Sequence, residues 1–193
     1  MRGALFIDRD GVVNKDHGYV HHRDQFEFID GIFDLCRAAV SYGLDIVVVT
    51  NQAGIGRGLY TEKDFILLTA WMQARFIEEG APIRAVYFCP FHPEHGIGPY
   101  KRDSPDRKPG PGMFLKAQDE LGIDLSASLM IGDRETDSLA ALRAGVPTRC
   151  LFINLNCGSL PSAALQLDET QSFSTHVVRD LREAIYLFPE KSA

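Results

Sequence analysis

Short apolar runs alternate with helix-period segments along almost the whole chain, and this alternation limits the folds open to it. Residues 4–8 (ALFID) form an apolar run that ends on a carboxylate, and residues 44–50 (LDIVVVT) form the run richest in β-branched side chains. Such side chains are stiff at χ1 and suit a pleated surface. Residues 85–89, 129–133 and 148–154 read as three further strands, and residues 176–178 as a short one near the C-terminus. Between them, residues 31–42 place Ile32, Leu35, Cys36, Ala39 and Val40 on one helical face, and Gly43 ends the pattern. Thr61 followed by Asp64 predicts a capped helix running to about Glu79 and stopped by Gly80. Pro111 can open a helix that reaches Leu121 and stops at Gly122. Residues 135–144 form another helix, ended by Gly145, and residues 179–187 a last one. Strands and helices in alternation imply βαβ units. The predicted fold is therefore α/β: a Rossmann-like, doubly wound, mainly parallel sheet with helices on both faces.

A chain of 193 residues suits one domain spanning residues 1–193. No apolar run approaches the roughly 20 residues that span a bilayer. The opening MRGALFID turns acidic too soon for a secretion signal, so a soluble cytoplasmic protein is expected, with no membrane partner. Lys and Arg number 20 against 26 Asp and Glu, a net charge of −6. That balance argues against nucleic acid as a partner, which usually needs a basic face. It does not argue against a small phosphorylated molecule, for which a few local cations suffice. Cys36, Cys89, Cys150 and Cys157 show no paired spacing and read as reduced, mostly buried thiols. There is no internal repeat, and a monomer is expected. The Pro- and Gly-rich stretch 89–112 is the longest loop, a place where function often sits.

In open parallel sheets, ligands bind at the carboxyl ends of the strands, near the point where strand order reverses. The first, second and fourth predicted strands end in polar residues: Asp8, then Thr50 and Asn51, then Gly132 and Asp133. Asp8 and Asp10 stand two residues apart and can reach one small cavity, with Gly11 letting the backbone turn out of the strand. One carboxylate can attack phosphorus, and the other can exchange a proton with the leaving oxygen. Alone, this string reads equally well as a polar strand end with an Asp-Gly turn. Asp133, Glu135 and Asp137 suit an oxygen-ligated Mg²⁺, or else a helix start favoured by its dipole. Thr50 and Asn51 offer phosphate donors, or an ordinary turn; Arg107 and Lys108 offer two cations, or a solvated pair. All four groups at strand ends, in this order, point to phosphoryl transfer.

The succession DRDGVV, VVVTNQAGIGRG, DRKPGPGM and MIGDRETD resembles the four motifs of haloacid-dehalogenase phosphatases. More closely, it resembles the D-glycero-D-manno-heptose 1,7-bisphosphate 7-phosphatase family and the related histidinol-phosphate phosphatases. The likeness covers about residues 4–153 and extends to HGYV, FEFIDG and TAWM. The resemblance implies that Asp8 is the nucleophile and a Mg²⁺ ligand, and that Asp10 is the general acid/base with its backbone carbonyl on the metal. It implies that Thr50 and Asn51 hold the transferring phosphoryl group and that Lys108 neutralises charge on it. Asp133 would complete the protein's share of the Mg²⁺ shell, with Asp137 behind it rather than on the metal. Arg107 and Arg134 match positions that carry basic substrate contacts; Arg57 could reach a distal phosphate, and Gln52 could touch sugar hydroxyls. Arg57 reads equally well as a surface arginine in a flexible loop. No long insertion separates the motifs, which implies a capless member.

The chain departs from the resemblance at one place. Many members carry a structural zinc in the loop after the third strand, patterned Cys-x-His and then Cys-x-Cys. Here Phe91 stands at the first histidine position, and residues 104–106 contain no cysteine. Cys89, His92 and His95 supply three ligands at most, where a structural Zn²⁺ takes four, so no structural zinc is expected. The loop is expected to hold itself by packing Phe91 and through Pro90, Pro93, Pro99 and Pro105. The resemblance as a whole implies removal of the 7-phosphate from a heptose 1,7-bisphosphate, serving nucleotide-activated heptose for lipopolysaccharide or capsule. The alternatives are a histidinol-phosphate or other sugar-phosphate phosphatase, and a non-catalytic phosphate-binding module, whose signature would be loss of Asp8 or Asp10. Residues 159–175 read as a surface connection without an assigned role, as does the tail after Leu187.

Overall fold

Period-two alternation along the strands sends successive side chains to opposite faces, and here both faces are apolar. In β1 (Ala4–Ile7) every residue is buried. Leu5 and Ile7 join one core with Ile46, Val48, Ile32, Leu35, Leu68 and Met72, while Ala4 and Phe6 join a second with Val47, Val49, Met113, Phe114 and Ala140. A strand buried on both sides belongs in the middle of a parallel sheet. In the computed structural model, which describes residues 2–153 and 175–188, β1 lies there. It is flanked by β2 (Asp45–Asn51) and β4 (Leu129–Gly132). With β3 (Ile83–Cys89), β5 (Thr148–Phe152) and β6 (Thr175–Val178) the six-stranded order is β3-β2-β1-β4-β5-β6. Every neighbouring pair is parallel.

Parallel neighbours need crossover connections, and helices supply them. Helices α1 (Ile32–Ser41) and α3 (Glu62–Glu78) contribute to the first core; α4 (Gly112–Leu121) and α5 (Glu135–Ala144) contribute to the second. Thr61 caps α3 as its spacing predicts, its hydroxyl accepting from the Asp64 amide while the Asp64 carboxylate accepts from the Thr61 amide. A single helical turn, α2 (Ala53–Gly56), follows β2; it is too short to show in hydrophobic periodicity. The predicted helix over 179–187 is instead a 3₁₀ segment, Leu181–Leu187. Its first turn is anchored by Arg182, which pairs with Asp30 at 2.9 Å and Asp34 at 2.7 Å and thereby ties it to α1.

The chain builds β1, β2 and β3 outward on one side, then returns to build β4, β5 and β6 on the other. Strand order therefore reverses between β1 and β4, the place where such sheets bind ligands. The segment from β1 to α1 contains only a 3₁₀ turn, Arg23–Gln25, so no cap domain rises there. It is pinned instead by an antiparallel bridge between Asn14 and Phe28 and by aromatic packing of Phe26 and Phe28 on Trp71, with centroids 5.5 and 5.7 Å apart. Cys36, Cys89 and Cys150 are buried free thiols. Among the described residues no helix is long and apolar enough to cross a membrane. Asn154 of the fifth predicted strand, Cys157, the connection read over 159–175 short of Thr175, and the chain beyond Phe188 lie outside the described residues.

Candidate active site

The backbone leaving β1 is held in register with β4, because the Asp8 amide donates to the Ile131 carbonyl at 3.0 Å. It then turns at once. Gly11 has φ +94°, and a Cβ there would lie 2.2 Å from Asp133 Oδ2, so only glycine lets this turn close against the end of β4. Asp8 at the end of β1, Asp133 at the end of β4 and Asp137 in the first turn of α5 are thereby gathered together. Lys108, only 3% exposed, reaches them from the long loop before α4. Its ammonium lies 2.9 Å from Asp8 Oδ1 and 2.6 Å from Asp137 Oδ1, and donates to the Val49 carbonyl at 2.8 Å. Asn51 fixes the lysine's backbone from both sides: its amide donates to the Lys108 carbonyl and accepts from the Lys108 amide, both at 3.0 Å.

Two buried carboxylates, Asp8 and Asp137, and a partly buried one, Asp133, face one buried cation, and the ionisation of the group reflects that imbalance. Burial pushes the Asp8 carboxyl up to about 7; Lys108 opposes the shift, while Asp137 and Asp10 add to it. Burial also raises Asp133, to about 8, with Asp8 and Asp137 acting the same way. Burial disfavours the Lys108 charge, yet Asp137 and Asp8 outweigh it and the ammonium is held firmly protonated. Asp8, Asp133 and Asp137 each offer an oxygen within 4.8 Å of the others, and among the described residues theirs is the only such group of three or more potential ligands. Asp133 Oδ1 is buried without a partner. Hard oxygen donors with an orphaned carboxylate oxygen fit a divalent cation such as Mg²⁺. Asp137 faces Lys108 and accepts from the Arg134 amide at 3.1 Å, so Asp8 and Asp133 are the freer ligands.

A consequence is measurable without turnover. With no cation present, the folded protein keeps protons on Asp8 and Asp133 that the unfolded chain has already released. The stability this contributes is full in acid and declines as pH rises from the ordinary carboxylate range towards about 7 to 8. Mg²⁺ is therefore expected to raise the Tm of the metal-free protein more at about pH 8 than at about pH 5. Equal shifts at both pH values would refute the assignment of the cation to these carboxylates.

The other residues singled out in the sequence divide into two groups. Asp10, Thr50, Arg57, Arg107 and Arg134 line, with Asp8 and Lys108, a cavity of about 290 Å³ at the strand ends. Arg57 donates to the Tyr19 hydroxyl at 2.6 Å and lies over its ring, so it is fixed at the rim rather than loose in solvent. Arg107 is half-buried and donates to the Phe91 carbonyl at 3.3 Å. Arg134 is largely exposed and pairs with Asp16 at 2.9 Å. Gln52 also borders the cavity, but it is 1% exposed and its amide is fully engaged inside the protein. Nε2 donates to Asp10 Oδ2 at 3.0 Å and to Thr50 Oγ1 at 2.8 Å, and Oε1 accepts from the Tyr60 hydroxyl at 2.5 Å. Gln52, expected to touch the sugar, thus also braces Asp10, Thr50 and Tyr60 from the wall of the cavity.

Sequence reasoning missed Arg9, Asn14, Tyr19 and Tyr60. For Arg9 a signal existed: a cation directly after a wholly apolar strand must be paired if it is to be buried. In the loop after β3, the Phe91 ring packs 3.9 Å beneath the Arg102 guanidinium and 6.0 Å from Tyr100. His92 Nδ1 accepts from the Glu94 and His95 amides at 3.2 and 3.1 Å. The packing of Phe91 expected from the sequence is present, and backbone contacts to His92 tie the loop further.

Comparisons with known proteins agree with this geometry. A sequence profile described as HAD-hydrolase-like matches residues 106–184. The D-glycero-alpha-D-manno-heptose-1,7-bisphosphate 7-phosphatase of Burkholderia mallei is 55% identical over 161 residues, covering 83% of this chain and 85% of that protein. The D-glycero-beta-D-manno-heptose-1,7-bisphosphate 7-phosphatase of Vibrio cholerae is 51% identical over 148 residues, covering 77% of this chain and 80% of that protein. Among solved structures, the D,D-heptose 1,7-bisphosphate phosphatase of B. bronchiseptica, complexed with magnesium and phosphate, superposes with a TM-score of 0.76 at 26% identity. That alignment covers 96% of this chain and 97% of the other. By its fold and by the extent of this identity, the chain belongs to the D-glycero-D-manno-heptose-1,7-bisphosphate 7-phosphatase family of HAD-like hydrolases.

Proposed function

We propose that the chain is a Mg²⁺-dependent phosphatase that removes the 7-phosphate from D-glycero-D-manno-heptose 1,7-bisphosphate through an aspartyl-phosphate. The observation that carries this reading is the contact between a buried strand-end carboxylate, Asp8, and a buried ammonium, Lys108, at 2.9 Å on the floor of a polar cavity. Asp8 attacks phosphorus; the bond from phosphorus to the sugar oxygen breaks, and its electron pair stays on that oxygen. Asp10 gives the oxygen a proton. Asp10 then takes a proton from water as the water attacks the phospho-aspartate, releasing phosphate and restoring Asp8. Lys108 offsets negative charge as it develops, from a position fixed in advance by Asn51 and Val49. Thr50 lines the same cavity, and its hydroxyl accepts from Gln52 Nε2 at 2.8 Å. Held by Asp8, Asp133 and the Asp10 carbonyl, Mg²⁺ would supply the charge neutralisation that lets a carboxylate approach a phosphate.

The substrate's second phosphate needs cations away from the reacting centre. Arg57 and Arg107 line the cavity, and burial, aided by the nearby charge of Arg57, lowers the affinity of Arg107 for its proton. Two guanidiniums lining one cavity suit a bound dianion. Three buried free thiols are in keeping with a cytoplasmic setting.

The test is Mg²⁺-dependent phosphate release from both anomers of the heptose bisphosphate, beside histidinol phosphate. A kcat/KM of about 10⁴ M⁻¹s⁻¹ or more on one heptose anomer supports the reading. Faster turnover of histidinol phosphate would replace it. Arg57→Ala is expected to raise KM for the bisphosphate by about tenfold or more, the scale of one lost hydrogen bond to a charged group. A heptose monophosphate should be affected far less; equal effects on both would return Arg57 to a surface role.

A further inference from the structure

Arg9 is among the largest fully buried side chains of the molecule and is 1% exposed. A guanidinium at that depth must be paired, and replacing such a pair by apolar residues is often neutral or stabilising. Its burial therefore calls for an explanation beyond stability. Arg9 grips one partner side chain, Asp10, through three contacts: Nε to Oδ1 at 3.1 Å, and Nη2 to Oδ1 and Oδ2 at 2.7 and 2.8 Å. The same Nη2 donates to the Val20 carbonyl at 2.7 Å, and the guanidinium lies 5.8 Å from the centre of the Phe65 ring. Nη1 is buried with no partner. The arrangement thus leaves one donor unsatisfied in order to present the other two nitrogens to a single carboxylate.

On the far side, Asn14 Nδ2 donates to Oδ1 at 3.1 Å and Gln52 Nε2 to Oδ2 at 3.0 Å. Gln52 is itself held by Tyr60, and Tyr60 by the absence of a side chain at Gly54, where a Cβ would lie 2.2 Å from the Tyr60 ring. Oδ1 takes three donors and Oδ2 two, so proton exchange falls to Oδ2, where one contact must lengthen. Asp10 reaches the cavity, whereas Arg9 does not line it.

We infer that Arg9 is the positioning residue for Asp10: it sets the plane of the carboxylate that exchanges a proton with the substrate, and touches no substrate itself. This rests on the reading of Asp10 as the acid. Proton exchange needs heavy atoms within about 2.6–3.2 Å, and a misplacement of about 1 Å can cost about 10²-fold. An arginine that merely supports the fold would, when lost, lower activity on every substrate alike. A positioning residue for the acid has a different signature, because a leaving group that departs readily as an anion needs no proton.

The experiment compares kcat/KM on the heptose bisphosphate and on p-nitrophenyl phosphate at saturating Mg²⁺. This ratio covers steps up to phosphoenzyme formation, so the later hydrolysis, common to both substrates, does not enter. Asp10→Asn should lose about 10²–10⁴-fold on the sugar phosphate and much less on the nitrophenyl ester. Arg9→Met should follow the same pattern, losing at least about tenfold more on the sugar phosphate. Arg9→Lys, which keeps the charge and the apolar stem but cannot grip both oxygens, should fall between and serves where Arg9→Met does not fold. Equal losses on both substrates in the Arg9 variants, beside a discriminating Asp10→Asn, would overturn the inference alone. An Asp10→Asn variant that fails to discriminate would overturn the inference together with the reading of Asp10 as acid.

Discussion

Asp8→Asn is expected to lower phosphate release by at least about 10⁴-fold, the scale on which removal of a covalent nucleophile registers. The amide keeps the shape of the carboxylate and its place at the end of β1, but it cannot attack phosphorus. The same substitution should raise Tm in the absence of Mg²⁺, and more so at about pH 8 than at about pH 5. Burial, Asp137 and Asp10 already push the Asp8 carboxyl up to about 7, so above that pH the folded state carries an anion it does not favour. Asn removes the anion. Loss of activity with a gain of metal-free stability would separate chemistry from folding in one variant. Turnover within tenfold of the parent would sink the proposed mechanism.

Lys108→Met is expected to be damaging in both respects. The ammonium lies between Asp8 and Asp137, at 2.9 and 2.6 Å, with its side chain almost wholly buried. Removing one member of a buried ionic cluster while leaving the others typically costs about 3–5 kcal/mol. Turnover should fall by about 10²–10³-fold, since a prepositioned cation over the transferring group is lost. Adding Asp137→Asn removes the stranded carboxylate. The double variant should regain much of the thermal stability and little of the activity, measured by thermal unfolding and phosphate release. Recovery of activity along with stability would show that Lys108 serves only to neutralise Asp137.

Much of this was legible in the sequence, for identifiable reasons. Alternation of apolar runs with helical periods gave the parallel sheet, and strand ends gave Asp8, Thr50 and Asp133, because backbone position alone decides which residues reach such a site. Side-chain direction is not set that way. Asn51 and Gln52 both follow the β-branched run of β2, and their amides read naturally as ligand donors. In the folded protein, Asn51 clamps Lys108 across 57 residues of sequence, and Gln52 braces Asp10 across 42. Both pairings depend on how loops far apart in the chain come together, which no local pattern encodes. Likewise α2 is one turn long, and the 3₁₀ form of Leu181–Leu187 goes with ion pairs to Asp30 and Asp34.

The reversal of strand order between β1 and β4 bears on how the molecule comes into being. During synthesis the N-terminal half can pair β1 with β2 and β2 with β3, all of which leave the ribosome early. The other edge of β1 must wait for β4, whose Leu129 aligns with Leu5. Contacts so distant along the chain form slowly, and an unpaired apolar strand edge is a template for pairing with other chains. The nascent protein thus carries its most hydrophobic strand half-uncovered until residues 129–132 arrive. Asp133 follows in the next position, so the closing of that edge brings Asp133 up to Asp8 and starts the assembly of the acidic centre, which Asp137 completes from α5. The exposed edge then passes to β4, which waits in turn for β5.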